Sequence, residues 1–129
     1  MRALLDTNIL LWCLAHPERL DRQTRATIVS PDNEVFFSAA SIREIAIKAR
    51  LGRADFSERP KEIAAEAHSV GFIELPVTAA VAALVADLLM HRRDPFDRLF
   101  IAQALAGPMR FYTADKALVA YSEIVTLVG

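Results

Sequence analysis

The chain has 129 residues, 15 basic and 16 acidic side chains, a net charge of -1, 53% hydrophobic residues and a mean hydropathy of +0.26. Its length suits one compact domain spanning 1–129, and the near-neutral balance excludes a globally basic nucleic-acid binder, leaving that role to local clusters. Cys13 is the only cysteine, which excludes a disulfide framework or a thiolate metal site and fits a reducing cytoplasm.

Residues 3–5 read as a short buried strand and 8–14 as a helix capped by Thr7 or Asn8. The apolar run 9–15 is not read as a signal sequence, because Asp6 falls in what would be its positive region and no small-residue cleavage site follows. A second helix over 21–30 closes at Pro31-Asp32-Asn33. Strand two is 34–37, and a strong helix over 39–51 ends at Gly52. Pro60 opens a helix over 61–70 that Gly71 terminates, and strand three is 72–75.

Thr78 then caps a nearly all-apolar helix over 79–90, too short to span a bilayer and read as a core or interface helix. After the basic linker His91-Arg92-Arg93, Asp94 and Pro95 look like the cap and first position of a helix ending at Gly107-Pro108. Strand four is 111–113, a short helix covers 116–121, and strand five is 124–128. Short apolar strands alternating with helices predict a three-layer α/β/α fold with a central parallel sheet of four to five strands.

Four acids stand at element boundaries in this order: Asp6, Glu44, Asp97 and Asp115. Asp6 and Asp115 follow strands one and four; Glu44 and Asp97 lie near the starts of helices that begin at the same sheet edge. Ligands of such sheets bind outside the carboxyl ends of the strands, so topology alone brings all four together. Two carboxylates about 5 Å apart repel by about 3 kcal/mol at an effective dielectric near 20. An all-oxygen set without cysteine therefore suits a hard divalent cation.

Each acid also has a plainer reading. Asp6-Thr7-Asn8 alone is an N-cap cluster, and Ala114-Asp115 alone is an ordinary turn. Ser41 with Glu44 fits a capping box, whereas Ser38 as the cap places Glu44 past the first turn and frees it; the sequence leaves both open. Asp97 just inside its helix favours the helix dipole. His16, His68 and His91 show no metal-ligand spacing. Arg43, Lys48, Arg50, Arg53, Arg92, Arg93 and Arg98 form either a solvated face or a basic rim for RNA phosphates.

At Leu4-Leu5-Asp6-Thr7-Asn8, at residues 38–48, at residues 91–104 with Asp94-Pro95-Phe96-Asp97-Arg98, and at Thr113-Ala114-Asp115, the chain resembles PIN-domain ribonucleases. The resemblance is specifically to VapC-type toxins of bacterial type II toxin–antitoxin modules. It implies a PIN-like domain with strand order 3-2-1-4-5 and a metal-dependent endoribonuclease that hydrolyses RNA phosphodiesters through carboxylate-bound Mg2+ or Mn2+. Asp6, Glu44, Asp97 and Asp115 are the implied catalytic, metal-binding quartet. Thr7, Asn8, Ser38 and Thr113 are the implied supporting or substrate-positioning groups. The implied partners are an RNA substrate, a cognate antitoxin and a second copy in a homodimer, with no membrane.

A solitary PIN nuclease of RNA processing or decay, without an antitoxin, is the nearest alternative. A phosphoacceptor receiver domain wants paired acids after strand one and a lysine after strand five, which this chain lacks. A haloacid-dehalogenase-like phosphatase wants Asp-x-Asp after strand one, where Asn8 stands instead. A pure interaction module explains the apolar excess but not four acids at one edge. For the antitoxin, an apolar surplus on the helices at 8–15 and 39–51, anchored by Trp12, is the expected docking surface.

Overall fold

The computed structural model describes residues 1–52, 59–88 and 94–129. In chain order these form β1 (Arg2–Leu5), α1 (Thr7–Ala15), a 3-10 turn (Pro17–Arg19), α2 (Arg22–Val29), β2 (Glu34–Ser38), α3 (Ala39–Arg50) and α4 (Pro60–Ser69). They continue with β3 (Ile73–Leu75), α5 (Ala79–Leu84), a 3-10 turn (Val85–Asp87), α6 (Pro95–Ala106), β4 (Arg110–Thr113), a 3-10 helix (Lys116–Tyr121) and β5 (Val125–Leu127). The expected linker 91–93, Arg53 and the end of the predicted helix 79–90 lie outside the described residues.

All five strands pair in parallel in the order β3-β2-β1-β4-β5, as expected. Strand alternation sorts the core into two layers. Ala3, Leu5, Val35, Phe37 and Tyr112 face one side, where Ile9 and Leu10 of α1, Ile45 of α3 and Ile63 of α4 cover them. Leu4, Phe36, Phe111 and Val125 face the other, under Phe100, Ile101 and Ala104 of α6. Leu4 sits in register between Phe36 and Phe111, buried on both flanks of the central strand. The result is the three-layer α/β/α arrangement.

The differences from expectation have local causes. Helix α1 begins one residue early, at Thr7, because Asp6 is its N-cap, accepting from the Thr7 amide. Residues 116–121 coil as a 3-10 helix, begun by Asp115 as cap. Gly52 and Gly71 end α3 and α4 with φ of +73° and +94°, a region that L side chains rarely adopt.

Two apolar helices differ in how far they are covered. Helix α5 is apolar throughout and none of its residues is buried, so of the two expectations, core or interface helix, the core one does not hold for Ala79–Leu84. The surplus expected on α1 is largely spent inside: Ile9, Leu10 and Leu11 are buried, and Trp12 and Leu14 pack on the same core. An apolar groove lies beside α1, with Cys13 of that helix on its wall. It has a volume of about 400 Å³ and is lined by Cys13, Leu20, Ile28, Val29, Val70 and Phe72, with Pro17 and Arg25 among its polar and turn residues. No described helix is long and apolar enough to cross a membrane.

Candidate active site

The strand order reverses between β1 and β4, and a cleft opens there at the carboxyl ends of the strands. In open parallel sheets this is where ligands bind. The Asp6 amide donates to the Tyr112 carbonyl at 2.9 Å, so the end of β1 is pinned to β4. The cleft encloses about 350 Å³ and is lined by Asp6, Thr7, Asn8, Glu44, Lys48, Asp94, Asp97, Ala114 and Asp115. All four acids singled out in the sequence are on that lining.

Asp6 is only 9% exposed. One carboxylate oxygen accepts from the Thr7 amide at 2.8 Å and the other from the Thr113 hydroxyl at 2.6 Å. Burial pushes this carboxyl from its ordinary 3.8 up to about 6. The bonds from Thr113 and Thr7 pull it down, while the charges of Glu44 and Asp115 add to the rise. Asp6 is thus at once the cap of α1 and a buried carboxyl on the cleft lining.

The open question over Glu44 is decided by Ser38. Its hydroxyl accepts from the Ala40 amide at 3.0 Å and makes it the N-cap of α3. Glu44 is therefore past the first turn, buried, and turned to the cleft. The Thr7 hydroxyl lies 2.5 Å from Glu44 Oε1 and 3.0 Å from Ser41 Oγ. With one proton to give, Thr7 serves the carboxylate and receives from Ser41. Lys48 Nζ stands 2.7 Å from Glu44 Oε2, one helical turn on.

Helix α6 brings Asp94 and Asp97. Asp94 is the cap, accepting from the amides of Phe96 and Asp97 at 2.8 and 3.2 Å, with Pro95 at the first position. Asp97, in the first turn and 9% exposed, faces the same cleft. After β4, the Thr113 hydroxyl accepts from the Asp115 amide at 3.1 Å while donating to Asp6, so one side chain ties two of the acids. Asp115 also caps the following 3-10 helix through the Ala117 amide.

Of the expected supporting residues, Thr7 and Thr113 hold acids directly, and exposed Asn8 lines the cleft. Ser38 is fully buried as a helix cap and does not line it. Of the expected basic rim, Arg53, Arg92 and Arg93 lie outside the described residues, and Lys48 and Arg98 turn different ways. Lys48 turns into the cleft, whereas Arg98 is 7% exposed and reaches inward to the Val85 carbonyl at 2.9 Å. Two groups were missed: Ser41 behind Thr7, and Asp94 as part of the cleft lining beyond its capping role. Lys48, expected in the basic rim, stands four positions after Glu44 on one helix, and that spacing brings it to the carboxylate.

The donor chemistry fits a hard cation: the carboxylates on the lining offer only oxygen. Among the described residues, no three His, Cys, Asp or Glu side chains converge tightly enough to chelate an ion as they stand.

The family model for the PIN domain matches residues 3–124. A solved structure, VapBC2 from Rickettsia felis bound to a DNA fragment from their promoter, is similar with a TM-score of 0.70. The match covers 100% of this chain and 100% of that one at 13% sequence identity, a likeness of fold. No curated protein sequence matches the chain.

Proposed function

We propose that this chain, which belongs to the PIN-domain family, is a metal-dependent endoribonuclease and the toxin of a type II toxin–antitoxin module. The observation that carries the reading is the convergence of Asp6, Glu44, Asp97 and Asp115 on one cleft where the strand order reverses. These four would hold Mg2+ or Mn2+. Such an ion supplies a water activated near neutral pH and neutralises the charge that builds on a phosphodiester under attack.

The chain's own part is to keep the acids oriented and poised. Thr113 and the Thr7 amide fix both oxygens of Asp6, and the Thr7 hydroxyl fixes Glu44. Asp97 sits at the positive end of α6, where an anionic side chain is favoured. Burial of Asp6 and Glu44 limits competing water and strengthens every electrostatic contact inside the cleft. Exposed Asn8 at the rim is in place to position substrate.

The similar Rickettsia felis structure is a VapBC2 complex on promoter DNA, which favours a cognate antitoxin as partner here. The apolar groove between α2 and the end of α4, with Cys13 of α1 on its wall, suits an amphipathic antitoxin segment better than the rest of α1, whose large apolar side chains are already covered. Helix α5, apolar and nowhere buried, suits a homodimer contact. A cytoplasmic setting fits a nuclease acting on cellular RNA. The test is cleavage of RNA by the purified chain with and without divalent ion, with sequencing of the RNA ends after controlled expression.

A further inference from the structure

Both carboxylate oxygens of Glu44 are held by the chain itself, Oε1 by the Thr7 hydroxyl and Oε2 by the Lys48 ammonium at 2.7 Å. Most Glu–Lys pairs at this helical spacing lie on solvated faces and contribute little. This one does not lie on such a face. Glu44 is 5% exposed, the Lys48 side chain is 30% exposed, and both line the cleft with Asp6, Asp94, Asp97 and Asp115. Among the described residues of the lining, Lys48 is the one cationic side chain.

A cation placed against a buried carboxylate within an acidic cleft offsets the repulsion of that cleft when no other cation is there. The same placement sets it against a divalent ion. Ammonium and metal seek the same oxygen, and two positive charges a few ångströms apart repel in a poorly screened site. The four-carbon stem of lysine lets the ammonium swing away while the helix stays in place.

We propose that Lys48 is an internal counter-cation that occupies the Glu44 corner of the cleft and competes with the divalent ion for it, so that it sets the affinity of the metal site. The inference deepens the nuclease reading and rests on it for the presence of an ion. It makes the metal-free enzyme a self-neutralised state: loading requires Lys48 to leave Oε2, and unloading lets it return.

The experiment is a Mn2+ titration of the full chain at about pH 8, where exposed acids are ionised, followed by the free-ion paramagnetic resonance signal. Wild type, Lys48→Met, Glu44→Gln and the double variant are compared. Lys48→Met is expected to bind Mn2+ about five-fold more tightly, the upper end of what one partly exposed ion pair is worth. In the Glu44→Gln background the same change is expected to move affinity less than about two-fold, because the competition passes through that carboxylate. Should Lys48→Met fail to fold, Lys48→Gln carries the test, since its amide still bonds Glu44 but cannot repel an ion.

Unchanged or weaker Mn2+ binding in the Lys48 variants, with normal wild-type binding, overturns the inference and leaves the nuclease reading standing. Equal tightening with and without Glu44 also overturns it, reducing Lys48 to a distant charge. Failure of both the wild-type chain and the Lys48 variants to bind Mn2+ overturns the inference and the nuclease reading alike.

Discussion

Thr113 donates to Asp6 at 2.6 Å across the junction of β4 and β1, joining residues 107 positions apart in sequence. The bond does two things. It closes the sheet edge where the order reverses, and it stabilises a charged form that burial disfavours. Replacing Thr113 by Val keeps the volume but removes the donor, so Asp6 is expected to titrate above about 6. Loss of one buried hydrogen bond to a charged group costs about 1.5–3 kcal/mol. Carbon-13 titration of the Asp6 carboxyl in the wild type and in Thr113→Val checks this; an unshifted midpoint contradicts it.

Asp6→Asn and Asp97→Asn are each expected to abolish RNA cleavage while the chain stays folded. Each removes one of several crowded like charges, so the metal-free variant is expected to match or exceed wild type in melting temperature at neutral pH. For Asp97 the opposing effect is loss of a favourable charge in the first turn of α6. A melting point far below wild type for Asp97→Asn would show that its main duty is to the helix.

The raised titration of Asp6 predicts the sign of a pH effect. A carboxyl that titrates at about 6 when folded and near 3.8 when unfolded binds its proton more tightly in the folded state. Its contribution to stability is full below the unfolded value and is lost as pH rises through about 6, an effect of about 3 kcal/mol for this group. In chelator, the stability of Asp6→Asn relative to wild type is therefore expected to grow between acidic and neutral pH. Denaturant midpoints of both proteins across that range measure it, and a flat difference would contradict the assigned burial cost.

A partner protein expressed from the neighbouring gene is expected to co-purify with the chain. Hydrogen exchange should then show protection around Leu20, Ile28, Val29, Val70 and Phe72, the open apolar groove. Protection confined to residues 8–15 would place the contact on a helix whose large side chains already serve the core.

Much of this fold was legible because its strands are short apolar runs, such as Leu4-Leu5 and Val35-Phe36-Phe37, whose period and flanking acids imply a covered parallel sheet. The site was legible because topology sends every strand end to one edge. What stayed hidden depended on which way a side chain turns. Lys48 and Arg98 look alike in a list of basic residues, yet one lines the cleft and the other is buried against backbone carbonyls. The choice between Ser38 and Ser41 as cap rests on a single backbone turn, which no spacing rule decides. Composition likewise left α5 as a core or an interface helix, and only the fold shows that none of its residues is buried.

The most direct test of the central claim is cleavage of RNA by the purified chain in Mg2+ or Mn2+, read beside the same reaction in excess chelator and beside Asp97→Asn. The account predicts discrete cuts with wild type and divalent ion, and intact RNA in the other two. Cleavage that persists undiminished in chelator, or with Asp97→Asn, would contradict a mechanism built on metal-bound carboxylates.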